Sequence, residues 1–129
     1  TLKQVLKYHP ECRRIIIDNR MIERGYGDLE GIHHDSIIKK YGAGQFNKWH
    51  RGFREKPPKG ESFADVEKRI SKFIKYLKKL IKKEKTNIAI SAHGNSIRLF
   101  RKIIERKSEK EAVKWIIPYD KYYTYNFNA

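Results

Sequence analysis

The amino-acid sequence predicts an α/β domain with a mainly parallel sheet. Two short runs of mainly apolar residues, Arg14–Asp18 and Asn87–Ser91, have the length and composition of buried strands. Between them, apolar residues recur at intervals of three and four from Phe63 to Ile81, which predicts a long amphipathic helix. Strands that alternate with helices in this way favour a parallel sheet with helices packed on its faces.

Shorter elements complete the predicted order. The long helix begins at a capping-box pair, Ser62 and Asp65, after the irregular loop Glu55–Glu61. A glycine-rich stretch, Arg20–Gly31, is predicted to be a loop. The other predicted helices are Thr1–His9, Asp35–Tyr41 before Gly42, Gln45–Phe53, Ile97–Arg106 and a capped helix from Ser108 to about Ile116.

The predicted sheet is thin for this number of helices. A third strand, Tyr122–Asn128, is predicted from alternating aromatic and polar residues. Three strands fall short of the ~4–6 found in typical sheets. The sequence also begins at Thr1, and its only methionine is Met21, so we interpret Thr1 as a processed end or the start of a fragment. We therefore expect further strands in a preceding segment.

Composition bounds the class of protein. The 129 residues suit one domain. No apolar run approaches the ~20 residues of a membrane-spanning helix, and the opening residues do not resemble a signal peptide. The single cysteine, Cys12, cannot form an intrachain disulfide. These features predict a cytoplasmic protein with no membrane partner.

The chain is strongly basic, with 30 Lys and Arg against 15 Asp and Glu and a formal charge of +15. Such a charge favours anionic partners, including nucleic acid and phosphorylated metabolites, although a lysine-rich composition also arises without one. The polar face of the long helix is mostly lysine, which we interpret as solvent exposure. Nucleic acid is disfavoured because no basic surface with interleaved aromatic residues is apparent.

The most informative stretch is the predicted strand, turn and helix around His93. A histidine at the end of a strand, followed by Gly94 and a helix N-terminus, can bind an anion or neutralise a phosphoryl oxygen. The alternative is a histidine satisfied by nearby backbone. A second candidate is Glu23 in the glycine-rich loop, which could serve as a general acid or base, although taken alone this stretch is better explained as an ordinary loop.

Two further segments carry residues that could bind a ligand. Arg51, beside an aromatic pair, could hold a carboxylate or phosphate, with a surface arginine as the alternative. The adjacent His33 and His34 do not share a helix face, and no third ligand lies at a suitable spacing, so no metal site is predicted.

Taken in order, these segments resemble the cofactor-dependent phosphoglycerate mutases of the histidine phosphatase superfamily. The resemblance extends from about Thr1 to the last predicted strand. The segments that carry it are Glu-Arg-Gly-Tyr-Gly-Asp-Leu-Glu-Gly at 23–31, Lys-Tyr-Gly at 40–42, Trp-His-Arg-Gly-Phe at 49–53, Pro-Pro-Lys-Gly-Glu-Ser at 57–62, Ala-His-Gly-Asn-Ser-Ile-Arg at 92–98 and Ile-Pro at 117–118.

The resemblance implies a three-layer α/β/α sandwich in which residues 1–129 form the C-terminal part of a single catalytic domain. It also implies a phosphohistidine mechanism without metal, in which the nucleophilic histidine belongs to an N-terminal Arg-His-Gly motif. By position, Glu23 takes the acid/base role and His93 that of the second histidine. The implied substrate-binding residues are Arg24, Tyr26, His34, His50, Arg51, Gly94 and Asn95.

Three departures from the family pattern matter. Arg-His-Gly is absent from this sequence, so the chain by itself is predicted to be inactive. His34 stands where the mutases place a lysine, and His50-Arg51 stands where they place two arginines. The last two departures weaken the cationic hold on a substrate and make a phosphatase a serious rival.

The sequence therefore predicts an enzyme that interconverts 3-phosphoglycerate and 2-phosphoglycerate. No permanently bound cofactor is expected, and 2,3-bisphosphoglycerate would prime a mutase. The alternatives are a phosphomonoesterase of the same superfamily and, from another class, a non-catalytic anion-binding or complementing subunit. Expected partners are a phosphorylated small molecule and the missing N-terminal segment, with a homo-oligomer left open.

Overall fold

A computed structural model describes residues 2–12 and 14–127 of the chain. Two single turns of 3-10 helix, Asn19–Met21 and Gly27–Leu29, lie in the predicted loop. The α-helices of the described residues are α1 (Leu2–Tyr8), α2 (His34–Tyr41), α3 (Ala43–Arg51), α4 (Phe63–Glu84), α5 (Gly94–Ile104) and α6 (Glu109–Ala112).

The long helix α4 begins where its capping box predicts. The Ser62 hydroxyl accepts a hydrogen bond from the backbone N–H of Asp65, and the Asp65 carboxylate accepts one from the backbone N–H of Ser62. The helix ends at Lys85, which adopts a left-handed conformation with φ of 49°. One face of α4 is buried, and its residues are Phe63, Val66, Ile70, Phe73, Ile74 and Leu77.

The hydrophobic core lies between α4 and α5. Phe63, Ile70 and Leu99 are each 0 % exposed. Aromatic rings extend this core, since Phe73 lies 6.4 Å from Phe100 between ring centroids. Because burying side chains of this size from water is the main stabilising contribution, the packing fixes α5, and hence its N-terminus, against α4.

Helices α2 and α3 form a hairpin around Gly42. This residue has φ of 85°, a left-handed conformation that glycine adopts without steric cost, so the predicted stop of α2 at Gly42 is confirmed. The rings of Tyr41 and Trp49 meet edge-on at 5.1 Å between centroids. The hairpin therefore presents one side of α3 towards the glycine-rich loop.

The three predicted strands do not form in the described residues. Arg14–Asp18, Asn87–Ser91 and Tyr122–Phe127 belong to no helix or strand, and no backbone hydrogen bond joins any two of them within residues 2–12 and 14–127. Asn128, the end of the last predicted strand, lies outside the described residues. The prediction of strands was therefore wrong for this structure, and the α/β/α sandwich stays unconfirmed.

The physical reason is visible in the exposure of the predicted strands. Ile17 is 90 % exposed, and Ile15 is 55 % exposed. A strand exists only when a neighbouring strand takes up its N–H and C=O groups, and the described part of the chain offers these segments no such neighbour. The apolar residues that predicted a buried strand are thus exposed to solvent in the described part of the chain.

Two helix boundaries also differ from expectation. Helix α5 begins at Gly94 rather than at Ile97, because His93 serves as its N-cap residue. Helix α6 ends at Ala112 rather than near Ile116. Beyond it the backbone bonds shorten to three-residue spacing, as from the N–H of Trp115 to the carbonyl of Ala112 at 3.2 Å. Among the described residues, no helix is long and apolar enough to cross a membrane.

Candidate active site

The glycine-rich loop is held in register by the loop that precedes α4. The backbone N–H of Glu61 donates to the carbonyl of Gly25 at 2.8 Å, and the N–H of Asp28 donates to the carbonyl of Pro58 at 2.9 Å. Gly27 has φ of +56°, and a Cβ atom there would lie 2.2 Å from the carbonyl oxygen of Pro58. Only glycine therefore fits where the two loops cross.

Arg69 of α4 forms hydrogen bonds with the same two loops. Its guanidinium donates to the carbonyl of Arg20 at 2.7 Å, to the carbonyl of Glu23 at 3.1 Å and to the Glu61 carboxylate at 2.9 Å. Burial raises the pKa of Glu61, but hydrogen bonds from Arg69 and from the N–H of Gly25 outweigh it and hold that pKa below its ordinary value. The backbone around Glu23 is thereby tied to the long helix.

Glu23 reaches across to the N-terminus of α5. Its Oε1 atom accepts a hydrogen bond from the backbone N–H of Arg24 at 2.7 Å. Both carboxylate oxygens lie 3.2 Å from the backbone nitrogen of Asn95, in the first turn of α5. The unpaired N–H groups and positive dipole end of a helix favour a carboxylate in this place.

His93 stands beside this carboxylate as the N-cap residue of α5. Its backbone N–H donates to the Ser96 hydroxyl at 3.2 Å, and that hydroxyl donates to the His93 carbonyl at 3.0 Å. Ser96 is fully buried, whereas His93 is exposed. A Cβ atom on Gly94 would lie 3.9 Å from Oε2 of Glu23. The structure therefore places the Glu23 carboxylate against Gly94 and Asn95, the residues that directly follow His93.

Arg24 lies buried behind the carboxylate. Only 1 % of this residue is exposed, and its guanidinium carbon lies 4.4 Å from the ring centroid of Phe63. The group donates to the carbonyls of Glu61 and Trp49, each at 2.7 Å. Its remaining nitrogen, Nη1, is buried without a partner among the described residues. Burial lowers the pKa of Arg24 from its ordinary value.

A second guanidinium, that of Arg98, lies over the same ring. Its carbon is 5.6 Å from the centroid of Phe63. Arg98 donates to the side-chain oxygen of Asn95 at 2.6 Å and to the carbonyl of Trp115 at 2.7 Å. Burial, followed by the charge of Arg51, lowers the pKa of Arg98. Through these hydrogen bonds Arg98 orients the side-chain amide of Asn95 and anchors the backbone at Trp115, after the end of α6.

The sequence predicted no role for Arg98, Arg69 or Glu61, although Arg98 and Glu61 lie within the motifs that carry the resemblance. The spacing of Asn95 and Arg98, three residues apart, places both on one face of a helix and was the available signal. Arg69 and Glu61 gave no comparable signal, because their contacts join segments that are distant in sequence.

Arg51 lies at the end of α3 and is exposed. Its guanidinium donates to the carbonyl of Val113 at 3.0 Å. The charge of Arg51 lowers the pKa of both Arg98 and His50, which places it among the neighbouring cations. Arg51 thus borders the candidate site from the α3 side without a contact to Glu23.

The two histidines expected to bind substrate pack against one aromatic ring, that of Phe46. Phe46 and His50, four residues apart on α3, stack at 5.2 Å between centroids with an interplanar angle of 13°. His34 at the start of α2 lies 5.0 Å from Phe46 and 5.5 Å from His50. Burial, followed by the charge of Arg51, lowers the pKa of His50, and its Nδ1 atom is buried without a partner among the described residues.

These rings line a cavity of about 160 Å³ between the glycine-rich loop and the α2–α3 hairpin. Tyr26, the remaining side chain expected to bind substrate, lines it as well. The lining residues are Tyr26, Leu29, Glu30, Gly31, Ile32, His34, Ile37, Phe46, Trp49 and His50. The predicted binding residues therefore divide into a polar group at the N-terminus of α5 and an aromatic group beside it.

In the described parts of the chain, no three His, Cys, Asp or Glu side chains lie close enough together to hold a metal ion.

Comparison with known families decides the relationship. The model of the histidine phosphatase superfamily (branch 1) matches residues 1–128. This chain belongs to the histidine phosphatase superfamily.

Curated relatives in this superfamily carry mutase names. The chain is 38 % identical over 114 residues to a 2,3-bisphosphoglycerate-dependent phosphoglycerate mutase of Cytophaga hutchinsonii, which covers 86 % of this chain and 52 % of that protein. It is 37 % identical over 101 residues to a phosphoglycerate mutase of Schizosaccharomyces pombe, covering 77 % of this chain and 47 % of that protein. The chain thus spans about half the length of the curated relatives it matches.

A solved structure extends the likeness to the fold of the superfamily. A mycobacterial glucosyl-3-phosphoglycerate phosphatase superposes with a TM-score of 0.71 at 18 % identity, covering 87 % of this chain and 56 % of that protein. At this identity the likeness shows a shared fold and carries no substrate across.

Proposed function

We propose that this chain supplies the second-histidine part of the active site of a phosphoglycerate-mutase-like enzyme. The observation that carries the proposal is the carboxylate of Glu23, held 3.2 Å from the backbone nitrogen of Asn95 beside His93. An acid/base carboxylate and a histidine at a helix N-terminus form a site suited to a phosphoryl group.

Each residue has a role in phosphoryl transfer. The N-terminus of α5 and the exposed His93 stabilise the negative charge on the transferring phosphoryl group. Glu23 exchanges a proton with the substrate hydroxyl as that oxygen leaves or attacks phosphorus. Arg24, with its buried and unpartnered Nη1, binds the carboxylate or phosphate of the substrate. The nucleophile is a histidine of a preceding Arg-His-Gly segment.

The leading activity is interconversion of 3-phosphoglycerate and 2-phosphoglycerate, primed by 2,3-bisphosphoglycerate. The names of the curated relatives support it at 37–38 % identity. Its substrates are therefore phosphorylated small molecules.

A phosphomonoesterase is the second candidate, and a specific observation favours it. His50 stacks on Phe46, and burial, followed by the charge of Arg51, lowers the pKa of His50, so its charged form is disfavoured. A mutase must retain a bisphosphorylated intermediate, which calls for several fixed positive charges. With fewer charges, water has easier access to the phosphohistidine.

The preceding segment of the domain is the first partner we propose. The apolar side chains of Ile15, Ile16 and Ile17 are 45–90 % exposed, and the strand that they predict has no neighbour among the described residues. Upstream strands would cover these side chains and complete the sheet.

The test compares this chain with a completed protein, in which the chain follows a segment that carries Arg-His-Gly. We expect the completed protein to form phosphohistidine from 2,3-bisphosphoglycerate and to interconvert the phosphoglycerates, with phosphate release measured in parallel. The chain alone should do neither, because it lacks the nucleophile. Turnover by the chain alone that disappears in a His93→Ala variant would contradict the assignment, and an inactive completed protein would favour the non-catalytic alternative.

A further inference from the structure

The cavity beside the candidate site has the size and lining of a ring-binding pocket. Its volume is about 160 Å³. Apolar protein cavities of about 150 Å³ accommodate a benzene-sized molecule. Its walls come from three elements, with Leu29 on the glycine-rich loop, Ile37 on α2 and Phe46 on α3.

The charge of the cavity does not suit a second anion. Neither lysine nor arginine lines it, and the one carboxylate in its wall belongs to Glu30. His50 stacks face to face on Phe46, and its pKa lies below the ordinary value because burial and then Arg51 disfavour the charged ring. The cavity therefore presents aromatic and apolar side chains, one carboxylate and a His50 ring whose charged form is disfavoured, so a phosphate or carboxylate inside it would meet no lysine or arginine.

Arg24 connects the wall of the cavity to the chain segment that carries Glu23. The guanidinium carbon of Arg24 lies 5.0 Å from the ring centroid of Tyr26, which lines the cavity. The same guanidinium donates to the carbonyl of Trp49, another lining residue, at 2.7 Å. Arg24 thus contacts two residues of the cavity wall and directly follows Glu23 in the chain.

We propose that this pocket binds an uncharged planar or apolar ring on the organic part of a phosphomonoester, while the N-terminus of α5 holds its phosphoryl group. The inference rests on the proposed phosphoryl site and, of the two candidate activities, names a substrate class for the phosphomonoesterase. Stacking on Phe46 and His50 supplies the attraction, and burial of the ring removes apolar surface from water.

The test measures binding, so that it does not depend on turnover. Phenyl phosphate, glycerol 3-phosphate and inorganic phosphate are titrated against this chain and against the completed protein by calorimetry, with Trp49 fluorescence as a second readout. We expect phenyl phosphate to bind about tenfold more tightly than glycerol 3-phosphate, since burial of a ring of this size stabilises the complex. Equal affinities for the two esters would overturn the proposal.

Variants separate the pocket from the phosphoryl site. Phe46→Ala should abolish the preference for phenyl phosphate and leave the affinity for inorganic phosphate unchanged. His34→Lys, at an exposed position that tolerates a change, should reduce the preference by placing a cation at the pocket. Tyr8→Ala on α1, 71 % exposed, is the aromatic control and should retain the full preference. A preference that survives both pocket variants would locate the ring elsewhere.

Two further outcomes are distinguishable. If phenyl phosphate is preferred by the chain alone but not by the completed protein, the preceding segment fills the pocket and the proposal fails. If inorganic phosphate binds neither protein while phenyl phosphate still binds in a Phe46-dependent way, the pocket stands and the proposed phosphoryl site fails.

Discussion

The carboxylate of Glu23 lies 3.2 Å from the backbone nitrogen of Asn95, a residue 72 positions later in the chain. This contact joins the glycine-rich loop to the first turn of α5 and places Glu23 beside His93. Arg69 of α4 donates to the carbonyl of Glu23 at 3.1 Å, and α5 packs against the same helix, so both partners of the contact are held by α4.

Replacement of this carboxylate tests its chemical role. In the completed protein, Glu23→Gln should reduce turnover by about 10²–10⁴-fold, the usual contribution of a positioned acid or base. The fold should be retained, since the amide oxygen can still accept the hydrogen bond from Asn95. Activity is measured with 3-phosphoglycerate, and the exposed Asp28→Asn in the same loop is the control. Near-full turnover in the glutamine variant would place the acid/base residue elsewhere.

Arg98 is expected to position the anion-binding turn without touching the substrate. Arg98→Met removes the hydrogen bonds to the side chain of Asn95 and to the carbonyl of Trp115. We expect affinity for inorganic phosphate to fall about five- to tenfold, in line with loss of charged hydrogen bonds. Trp115 fluorescence should change at the same time, which a role confined to charge would not cause.

The control for Arg98 keeps the positive charge. Arg98→Lys retains the cation but cannot reach both partners as a planar fork. If Arg98→Lys restores phosphate affinity without restoring the fluorescence of Trp115, Arg98 acts through its charge and the positioning role is wrong.

The exposed isoleucines should contribute to the free energy of unfolding of the completed protein but not to that of this chain. Ile17 is 90 % exposed, so Ile17→Asp should change the free energy of unfolding of this chain by less than about 0.5 kcal/mol. In the completed protein the same change should cost about 2 kcal/mol or more, because it buries a carboxylate. Urea unfolding of both proteins provides the measurement.

A substitution in the hydrophobic core is the control for this comparison of the two proteins. Leu99 is 0 % exposed, and Leu99→Ala should cost about 2–5 kcal/mol in the chain and in the completed protein alike. An Ile17→Asp variant that behaves identically in both proteins would mean that the preceding segment does not cover this edge.

The stability of the chain should depend on pH through His50. Burial, followed by the charge of Arg51, lowers the pKa of His50 in the folded state, so the unfolded chain binds a proton at a higher pH than the folded one. The contribution of His50 is therefore present above the unfolded value of about 6.5 and is lost as the pH falls towards the folded pKa. Unfolding free energies measured at several pH values between about 5 and 7.5 should show this decrease.

Two variants isolate the contribution of His50. His50→Phe keeps the stack on Phe46 and should flatten the pH dependence. His9→Phe, an exposed histidine in the described chain, should leave it unchanged. If the wild type and the His50→Phe variant share one pH profile, protonation of His50 does not oppose folding.

Local sequence signals predicted the helices well. The capping boxes at Ser62 and Ser108 and the glycine at position 42 mark boundaries that the structure confirms. These signals depend on contacts between residues three or four apart, so a few neighbouring residues suffice to specify them. Motif order likewise identified Glu23 and His93 as candidates before any geometry was known.

Strands could not be decided in the same way, because a strand needs a partner that local sequence does not supply. The run Arg14–Asp18 has the composition of a buried strand, yet among the described residues it has no neighbour to take up its backbone groups. Its apolar composition indicates that these side chains favour burial, but it does not specify which element would bury them.

The sequence by itself determined the family, the helices and the identity of the acid/base and histidine candidates. Only the tertiary structure decided which of the substrate-binding candidates lie at the N-terminus of α5 and which line the neighbouring cavity. It packed His34 and His50 against Phe46 in the wall of a cavity, and it brought Arg98, to which no role had been assigned, onto Asn95. The physical reason is that burial and neighbouring charge set the protonation and partners of a side chain, and both depend on residues far away in sequence.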